Sequence, residues 1–381
     1  MTLRVLHLRS SAGWAGPERH LLELGRALAG ERVAATLAVL DSGASRRGAD
    51  HPLVEAARCA GLAAFALPDA ALRPGRAIAA LSARLAAGGF DLLHSHDYKS
   101  NWIGRRAALR AGLPAVATVH LHTRSSLRLR LYHRLDRREL GRFDGVLAVA
   151  AALLGDLPAT LRNGGAPCVV HNGLDAGILR RRAAAEAAGA RRTLGGAAGG
   201  PLLLAAGRLA FQKGFDLLLG ALPALRGAWP QLRLALVGAG PEEQRLEREV
   251  ARLGLGGAVT LLGERADVAG LMRVADLVVL PSRREGLPYV ALEALALERP
   301  LVAAAAGGIP ELIVDQETGW LAEPGCARAL AETLARALAA PARGAELARR
   351  GRERVERRFG AGAMAAANAA LYRERARGRA A

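Results

Sequence analysis

Short apolar runs alternate with longer amphipathic stretches along nearly the whole chain. Leu3–Leu8, Val33–Leu40, Ala63–Leu67, Leu92–His94, Ala115–His120 and Gly145–Val149 are mostly apolar, partly β-branched, and bounded by glycine, proline or polar turns. Runs of that kind suit strands covered on both faces. Between them, Glu18–Ala29 gathers Leu21, Leu22, Leu24 and Leu28 on one side, and helices are predicted near 53–60, 76–87, 102–111 and 126–140. A strand at Cys168–His171 and the turn Asn172–Asp175 close this series. The rhythm breaks over 176–200, where Ile178–Glu186 reads as a short helix and Gly195–Gly200 as flexible linker. A second series follows, with strands at Leu202–Ala206, Leu232–Val237, Val259–Leu262, Leu277–Leu280, Leu301–Ala305 and Trp320–Ala322. Helices Cys326–Ala339 and Ala345–Arg358 end it. Repeated strand–helix units predict parallel, doubly wound sheets. The expected organisation is α/β, with domains at 1–175 and 201–358, a linker at 176–200, and a helix or tail at 359–381.

Composition sharpens this in three places. Apolar residues make up 51% of the 381 positions and aromatics only 4%, so the cores are built from Ala, Leu and Val. The longest apolar run, Val146–Leu154, falls far short of the ~18–20 residues that span a bilayer, and the N-terminus alternates like a strand rather than a signal peptide. Cys59, Cys168 and Cys326 are odd in number and widely spaced, which predicts three small buried side chains in a reducing, cytoplasmic setting. The net charge of +18 does not point to nucleic acid, because interleaved aromatics and a recognisable module are missing. Only Lys99 and Lys213 of the 53 basic residues are lysines, a skew that looks like GC-rich coding. Charge is densest over 99–142, where 11 basic residues stand against Asp136 and Glu139 alone. That stretch predicts an anionic partner, a membrane surface or lipid phosphate ahead of RNA, with residues 124–142 docking at the inner face of the plasma membrane.

Candidate chemistry gathers at strand ends. Glu285 falls in the turn after strand Leu277–Leu280, and Glu293 about a turn and a half into the helix that Pro288 opens. Both carboxylates lie near a helix N-terminus that favours anions. Arg208 and Lys213 share the turn after Leu202–Ala206 and can neutralise a diphosphate, the guanidinium by forking onto oxygens and the ammonium as a point charge. Gly307-Gly308 lets backbone approach a ligand. The chain has no Asp-x-Asp pair to hold Mg²⁺ on a diphosphate. All nine histidines lie at or before His171. His94, His96, His120 and His122 do not read as a zinc site, since neither cysteine nor a close carboxylate set completes them. No metal ligand is expected.

Taken together the motifs resemble the family-4 retaining glycosyltransferases of GT-B fold. The matching stretches are Ala15-Gly16-Pro17-Glu18, His94-Ser-His-Asp-Tyr-Lys99, Val119-His120, His171-Asn-Gly-Leu-Asp175, Gly207-Arg-Leu…Lys213-Gly214, Leu236-Val-Gly-Ala-Gly-Pro241, Glu285-Gly-Leu-Pro…Glu293 and Gly307-Gly-Ile-Pro-Glu311. Ala150, where members often have serine, and Ala15-Gly16, in place of Gly-Gly, depart from the pattern. The resemblance implies two Rossmann-like domains facing each other across a cleft. It also implies metal-independent transfer of a hexose, with retention, from a nucleoside diphosphate sugar to a hydroxyl of a glycan or lipid-linked glycan. Arg208 and Lys213 would grip the pyrophosphate, Glu293 the ribose and Glu285 the transferred sugar. Gly286, Leu287, Gly307 and Gly308 would line the donor site. Gly16 would bring backbone N–H to the phosphate, and His120 would lie near the sugar. The alternatives are a nucleotide-sugar epimerase on the same architecture and a basic nucleic-acid-binding protein.

Overall fold

A computed structural model of the chain describes residues 2–11, 14–41, 51–67, 73–121, 127–194 and 199–377. It divides into two compact units, one formed by 1–173 together with 361–381, the other by 174–360. The first unit runs β1 (Leu3–Ser11), α1 (Gly16–Leu28), β2 (Val33–Asp41), α2 (Pro52–Cys59), β3 (Ala63–Leu67), α3 (Pro74–Ala87), β4 (Leu92–Ser95), α4 (Tyr98–Arg110), β5 (Ala115–Val119), α5 (Leu127–Leu140), β6 (Gly145–Ala148) and β7 (Cys168–Val169). Its strands form one parallel sheet in the order β3-β2-β1-β4-β5-β6-β7. β1 extends three residues beyond its apolar run, because polar Arg9, Ser10 and Ser11 continue the ladder with Val39, Leu40 and Asp41 of β2.

The second unit opens with α6 (Ala176–Thr193), then β8 (Leu202–Ala206), α7 (Phe215–Ala228), β9 (Arg233–Val237), α8 (Glu243–Arg252), β10 (Val259–Leu261), α9 (Val268–Val274) and β11 (Leu277–Leu280). It continues with α10 (Tyr289–Ala296), β12 (Leu301–Ala304), α11 (Ile309–Leu312), β13 (Trp320–Ala322), α12 (Ala327–Ala339) and α13 (Pro341–Arg358). The parallel sheet order is β10-β9-β8-β11-β12-β13. Strand order therefore reverses between β8 and β11 here, and between β1 and β4 in the first unit. In such sheets the crevice beyond the strand ends at the reversal is where ligands bind.

Two expectations change. The linker expected at 176–200 is α6 over most of its length. Asp175 caps it by accepting from the Ile178 N–H at 2.8 Å, and Leu179, Ala183 and Ala190 are buried. Gly270 of α9 packs against it so closely that a Cβ would meet the Glu186 Cβ at 2.5 Å, and the Gly270 N–H donates to the Glu186 carboxylate at 3.1 Å. Residues 195–198 of the glycine-rich stretch lie outside the described residues. The cysteines, expected to be buried, are not. Cys59 and Cys168 are exposed at a helix end and on an edge strand, and Cys326 caps α12, its Sγ accepting from the Ala329 N–H at 3.4 Å.

The last helix, α14 (Ala361–Arg377), belongs to the first unit. Met364, Ala365, Ala369 and Tyr372 enter the core formed by Val5, Leu24, Leu28, Leu92, Val116 and Leu147. Alanine at the facing positions lets this helix come close to α1. Tyr372 is fully buried, and its hydroxyl meets the His94 Nδ1 at 2.6 Å and the Asn368 Oδ1 at 3.3 Å. Replacing Tyr372 with Phe keeps the packing and orphans the His94 nitrogen, a cost of about 1–3 kcal/mol. Denaturant unfolding of Tyr372→Phe is expected to show that loss, and an unchanged midpoint would mean that the hydroxyl is not holding the histidine.

Candidate active site

In the second unit the loops after β8, β11 and β12, three neighbouring strands, converge on Glu285. Its carboxylate is buried and its Oε1 accepts from Lys213 Nζ at 2.6 Å and from Ser282 Oγ at 2.7 Å. Gly307 takes a left-handed φ of +57° and lies so near the Glu285 carbonyl that a Cβ would stand 1.8 Å from its oxygen. Only glycine fits there. The Gly308 N–H then donates to the Gly286 carbonyl at 2.9 Å, and Leu287 is buried beside it. Gly214, at φ +67°, stands just as close to the Pro281 carbonyl, where a Cβ would come within 2.0 Å. The Arg283 side chain clamps Asp216 of α7 through two bonds of 2.6 and 2.8 Å and lies 4.2 Å over the Phe211 ring. Burial pushes the Asp216 carboxyl up, but the Arg283 hydrogen bonds and charge hold it below its ordinary value. Glu293 sits half-buried on α10, whose N-terminus has no side-chain cap. Arg208 is exposed and makes neither a hydrogen bond nor an ion pair among the described residues. Thus the structure joins Lys213, Glu285 and the backbone of Gly286, Gly307 and Gly308 in one cluster, and leaves Arg208 unengaged on the same loop as Lys213.

In the first unit five imidazoles stack at the ends of β1, β4 and β5. His7 pairs with His94 in register across β1 and β4. His7 Nδ1 lies 3.1 Å from His96 Nε2, and His96 Nδ1 lies 3.3 Å from His120 Nε2. His94 is held between Tyr372 and the Thr118 hydroxyl, the latter at 2.7 Å. His20, from α1, faces Asn172 at 2.9 Å. Burial first, and mutual repulsion with neighbouring imidazoles second, pull His94 and His96 far below the usual histidine value and His7 down to about 3. Burial likewise carries His20 down to about 4 and His120 well below 6.5. All five are neutral at pH 7. Arg9 closes the cluster by pairing with buried Glu18 and donating to the His96 carbonyl at 3.2 Å. Gly16 is the first residue of α1, with open space where a Cβ would stand.

Several partners escape the sequence. Ser282 and Asp216 carry no motif, and neither do His7, between Leu6 and Leu8 of β1, and His20, which follows Glu18 and Arg19 in α1. A histidine flanked by leucines in the middle of a strand is the one signal that marks His7. His122 lies outside the described residues, so of the four histidines weighed for zinc, three meet, and two unflagged ones join them.

A parallel sheet with a reversal of strand order, present in each of the two units, is the doubly wound α/β architecture. A family model described as "Glycosyl transferases group 1" matches residues 190–354, and one described as "Glycosyltransferase Family 4" matches 14–177. Between them they take in most of the chain, which belongs to the family-4 glycosyltransferases and is a glycosyltransferase of GT-B architecture. An uncharacterized glycosyltransferase of Methanocaldococcus jannaschii is 26% identical over 242 residues, 62% of each protein. Glycogen synthase of Mycobacterium tuberculosis is 29% identical over 302 residues, 76% of this chain and 70% of that one. The chain thus spans less than two thirds of the archaeal relative. Among solved structures, Anabaena HepE in complex with UDP-glucose superposes with a TM-score of 0.80 at 24% identity over 98% of this chain and 100% of that one. Sucrose-phosphate synthase of Thermosynechococcus elongatus gives 0.80 at 24% over 98% of each. At that identity the likeness speaks for the fold.

The histidine cluster sets a pH dependence. Unfolded histidines take a proton near pH 6.5, whereas folded His7 and His20 do so only near 3 and 4. Above pH 6.5 neither state is protonated and no stability is lost. As pH falls from 6.5 toward 4 the unfolded state alone gains protons, and each such histidine removes about 1.4 kcal/mol per pH unit. Denaturation midpoints in chelated buffer are expected to drop between pH 7 and 5.5, less steeply in His7→Gln. Equal midpoints at both values would show that the imidazoles titrate normally in the folded chain.

Proposed function

We propose that the chain transfers a hexose, with retention, from a nucleoside diphosphate sugar to an acceptor hydroxyl of a glycan or lipid-linked glycan, without a metal ion. The observation that carries this reading is the pairing of Lys213 with Glu285 beside an unengaged Arg208, at the reversal point of the second sheet. An ammonium has three N–H donors. One is committed to Glu285, leaving two to face an anion, and Arg208 supplies a free bidentate fork on the same loop. Two cations and the uncapped N-terminus of α10 can together stabilise the charge that develops on a departing diphosphate. The missing Asp-x-Asp pair is consistent with side chains taking that task.

Glu285 fits the transferred sugar as an orienting group. Its Oε1 is held by two donors, so it is a poorer nucleophile than a free carboxylate and a better fixed acceptor for sugar hydroxyls. Glu293, a turn along α10, would accept from the ribose hydroxyls, as the resemblance implies. In the retaining route, departure of the diphosphate and attack by the acceptor share one face of the sugar, and a diphosphate oxygen takes the acceptor proton. His120 and Gly16 in the first unit keep the roles that the resemblance implies. UDP-glucose bound to Anabaena HepE supports a nucleotide-sugar donor.

We also propose that the α4–α5 face docks on anionic lipid. Asp136 and Glu139, the acidic residues of α5, are buried: Asp136 accepts from the Asn101 amide at 2.8 Å, and Glu139 pairs with Arg105 and Arg106 at 2.5 and 2.8 Å. The outer surface is left with Arg134, Arg137 and Arg138 beside exposed Leu131, Leu135, Trp102 and Tyr98. Basic and apolar groups on one face suit a headgroup layer. Residues 122–126 of the basic stretch lie outside the described residues. No described helix is long and apolar enough to cross a membrane, so contact at this face would be peripheral.

Two experiments test these readings. Arg208→Ala is expected to cut kcat/KM by about 10-fold to 100-fold, the loss of one charge-assisted hydrogen bond or more, with no change in thermal stability because Arg208 has no partner among the described residues. Lys213→Ala should match that loss and also lower stability, since it strands buried Glu285. Near-wild-type turnover in either would remove the phosphate site. For docking, the chain should sediment with anionic vesicles at low salt and be released at high salt, and Arg134→Glu/Arg138→Glu should not sediment. Equal sedimentation with neutral vesicles would exclude the electrostatic face.

A further inference from the structure

The histidine cluster holds more than a hydrogen-bond chain needs. The ligand nitrogens of His20, His96 and His120 lie within 4.8 Å of one another. Their ring centroids are separated by 4.7 Å (His20–His120), 5.6 Å (His20–His96) and 5.6 Å (His96–His120). Three imidazoles bound tetrahedrally, with nitrogens about 2.0–2.1 Å from the ion, put their ring centres about 5.2 Å apart. The observed triangle averages close to that. The 3.3 Å between His96 Nδ1 and His120 Nε2 is also the edge of such a tetrahedron, about 3.4 Å.

The protons fall in the right places. His20 Nδ1 faces the Asn172 Oδ1 and donates to it, which leaves the His20 Nε2 as a bare lone pair. That nitrogen is buried and has no hydrogen-bond partner among the described residues. His96 can donate from Nε2 to the His7 Nδ1, leaving its own Nδ1 lone pair toward His120. A ring N–H given to an outer partner, with the other nitrogen free, is the arrangement metal-bound histidines adopt. The neighbouring trio of His7, His94 and His96 does not offer this, because both His94 nitrogens are taken by Tyr372 and Thr118. His20 and His96 are buried while His120 is partly exposed, so an ion would enter past His120.

We propose that His20, His96 and His120 form a binding site for a transition-metal ion of the zinc class, with three neutral imidazole ligands and a fourth, exchangeable position. An all-nitrogen, uncharged donor set selects Zn²⁺, Co²⁺, Ni²⁺ or Cu²⁺ over Mg²⁺ and Ca²⁺. This site is separate from the Lys213–Glu285 cluster, and its existence does not rest on the glycosyl-transfer reading. An ion held there occupies the His120 lone pair, so it competes with any other ligand of that imidazole.

Cobalt titration of the full chain tests this without an activity assay. The expected result is one equivalent of Co²⁺ giving the visible bands of a tetrahedral nitrogen site, bleached by Zn²⁺ and unaffected by excess Mg²⁺. His120→Ala should abolish the bands, and Asn172→Ala should weaken binding by about 10-fold to 100-fold. His120 sits at the partly exposed edge, so its variant should keep the wild-type circular dichroism even where a buried His20→Gln chain does not fold. Absence of visible bands in the folded wild-type chain would overturn the proposal. So would bands that persist in His120→Ala, or a near-ultraviolet thiolate band placing the ion on exposed Cys59 or Cys168.

Discussion

Glu285 is gripped from two sides, and most of the second unit's site follows from that grip. Its carbonyl presses on the Cα of Gly307 and its carboxylate on Lys213 and Ser282. Three separate loops are thereby fixed to one residue, at a point where strand order reverses and the sheet itself leaves a gap. Neither contact would form alone. A side chain at 307 would push the loop after β12 away from the loop after β11, and losing Lys213 would leave a buried carboxylate short of a counter-charge. The Arg283–Asp216 fork, with Arg283 stacked on Phe211, braces the same loops from outside. What results is a rigid floor whose open groups are positive. Catalysis of a reaction whose leaving group gathers negative charge needs donors that are in place beforehand.

The first unit solves a different problem. Five imidazoles packed together would be costly if any carried charge, so the cluster persists as neutral rings, with His7, His96 and His120 linked to one another, His94 held by Tyr372 and Thr118, and His20 by Asn172. Helix α14 is part of that solution. It brings Tyr372 across to satisfy His94, and it does so with an alanine-rich face that can approach α1 closely. The end of the chain therefore completes a core laid down by its beginning, which explains why a low-complexity segment keeps one buried tyrosine.

The alternation of apolar runs and amphipathic stretches made both sheets legible, because strands covered on both faces announce themselves by continuous hydrophobicity. The cluster around Glu285 was legible for a related reason: Lys213, Glu285 and Gly307, with Arg208 on the same loop as Lys213, sit in glycine-bounded turns directly after such strands. What stayed hidden was fixed by tertiary contact. α6 looks like linker because alanine and arginine dominate it and a glycine run follows. Its burial depends on α9, whose Gly270, 84 positions beyond Glu186, leaves room for that side chain. The buried positions expected of the cysteines came from an average preference, and Cys326 was instead used as a helix cap. His7 and His20 carry no signal of their own, because their partners His96 and Asn172 lie 89 and 152 positions along the chain and only the fold brings them together.

The choice of lysine at 213 follows from the same geometry. In a chain that places arginine at 51 of its 53 basic positions, this loop keeps the rarer cation. A guanidinium is planar and would commit one whole edge to Glu285, with its remaining donors held in that plane. An ammonium is tetrahedral: one N–H can stay on Glu285 while the others point elsewhere, and its carbon stem passes Gly207 with the Cε only 3.7 Å from where a Cβ would stand. Lysine can therefore serve the carboxylate and an incoming anion at once. Arginine is better suited to reaching out and forking onto an anion by itself, the role that the proposed donor site would give exposed Arg208. The division of labour between the two cations follows from their shapes, one pre-engaged and steady, the other unengaged and forked.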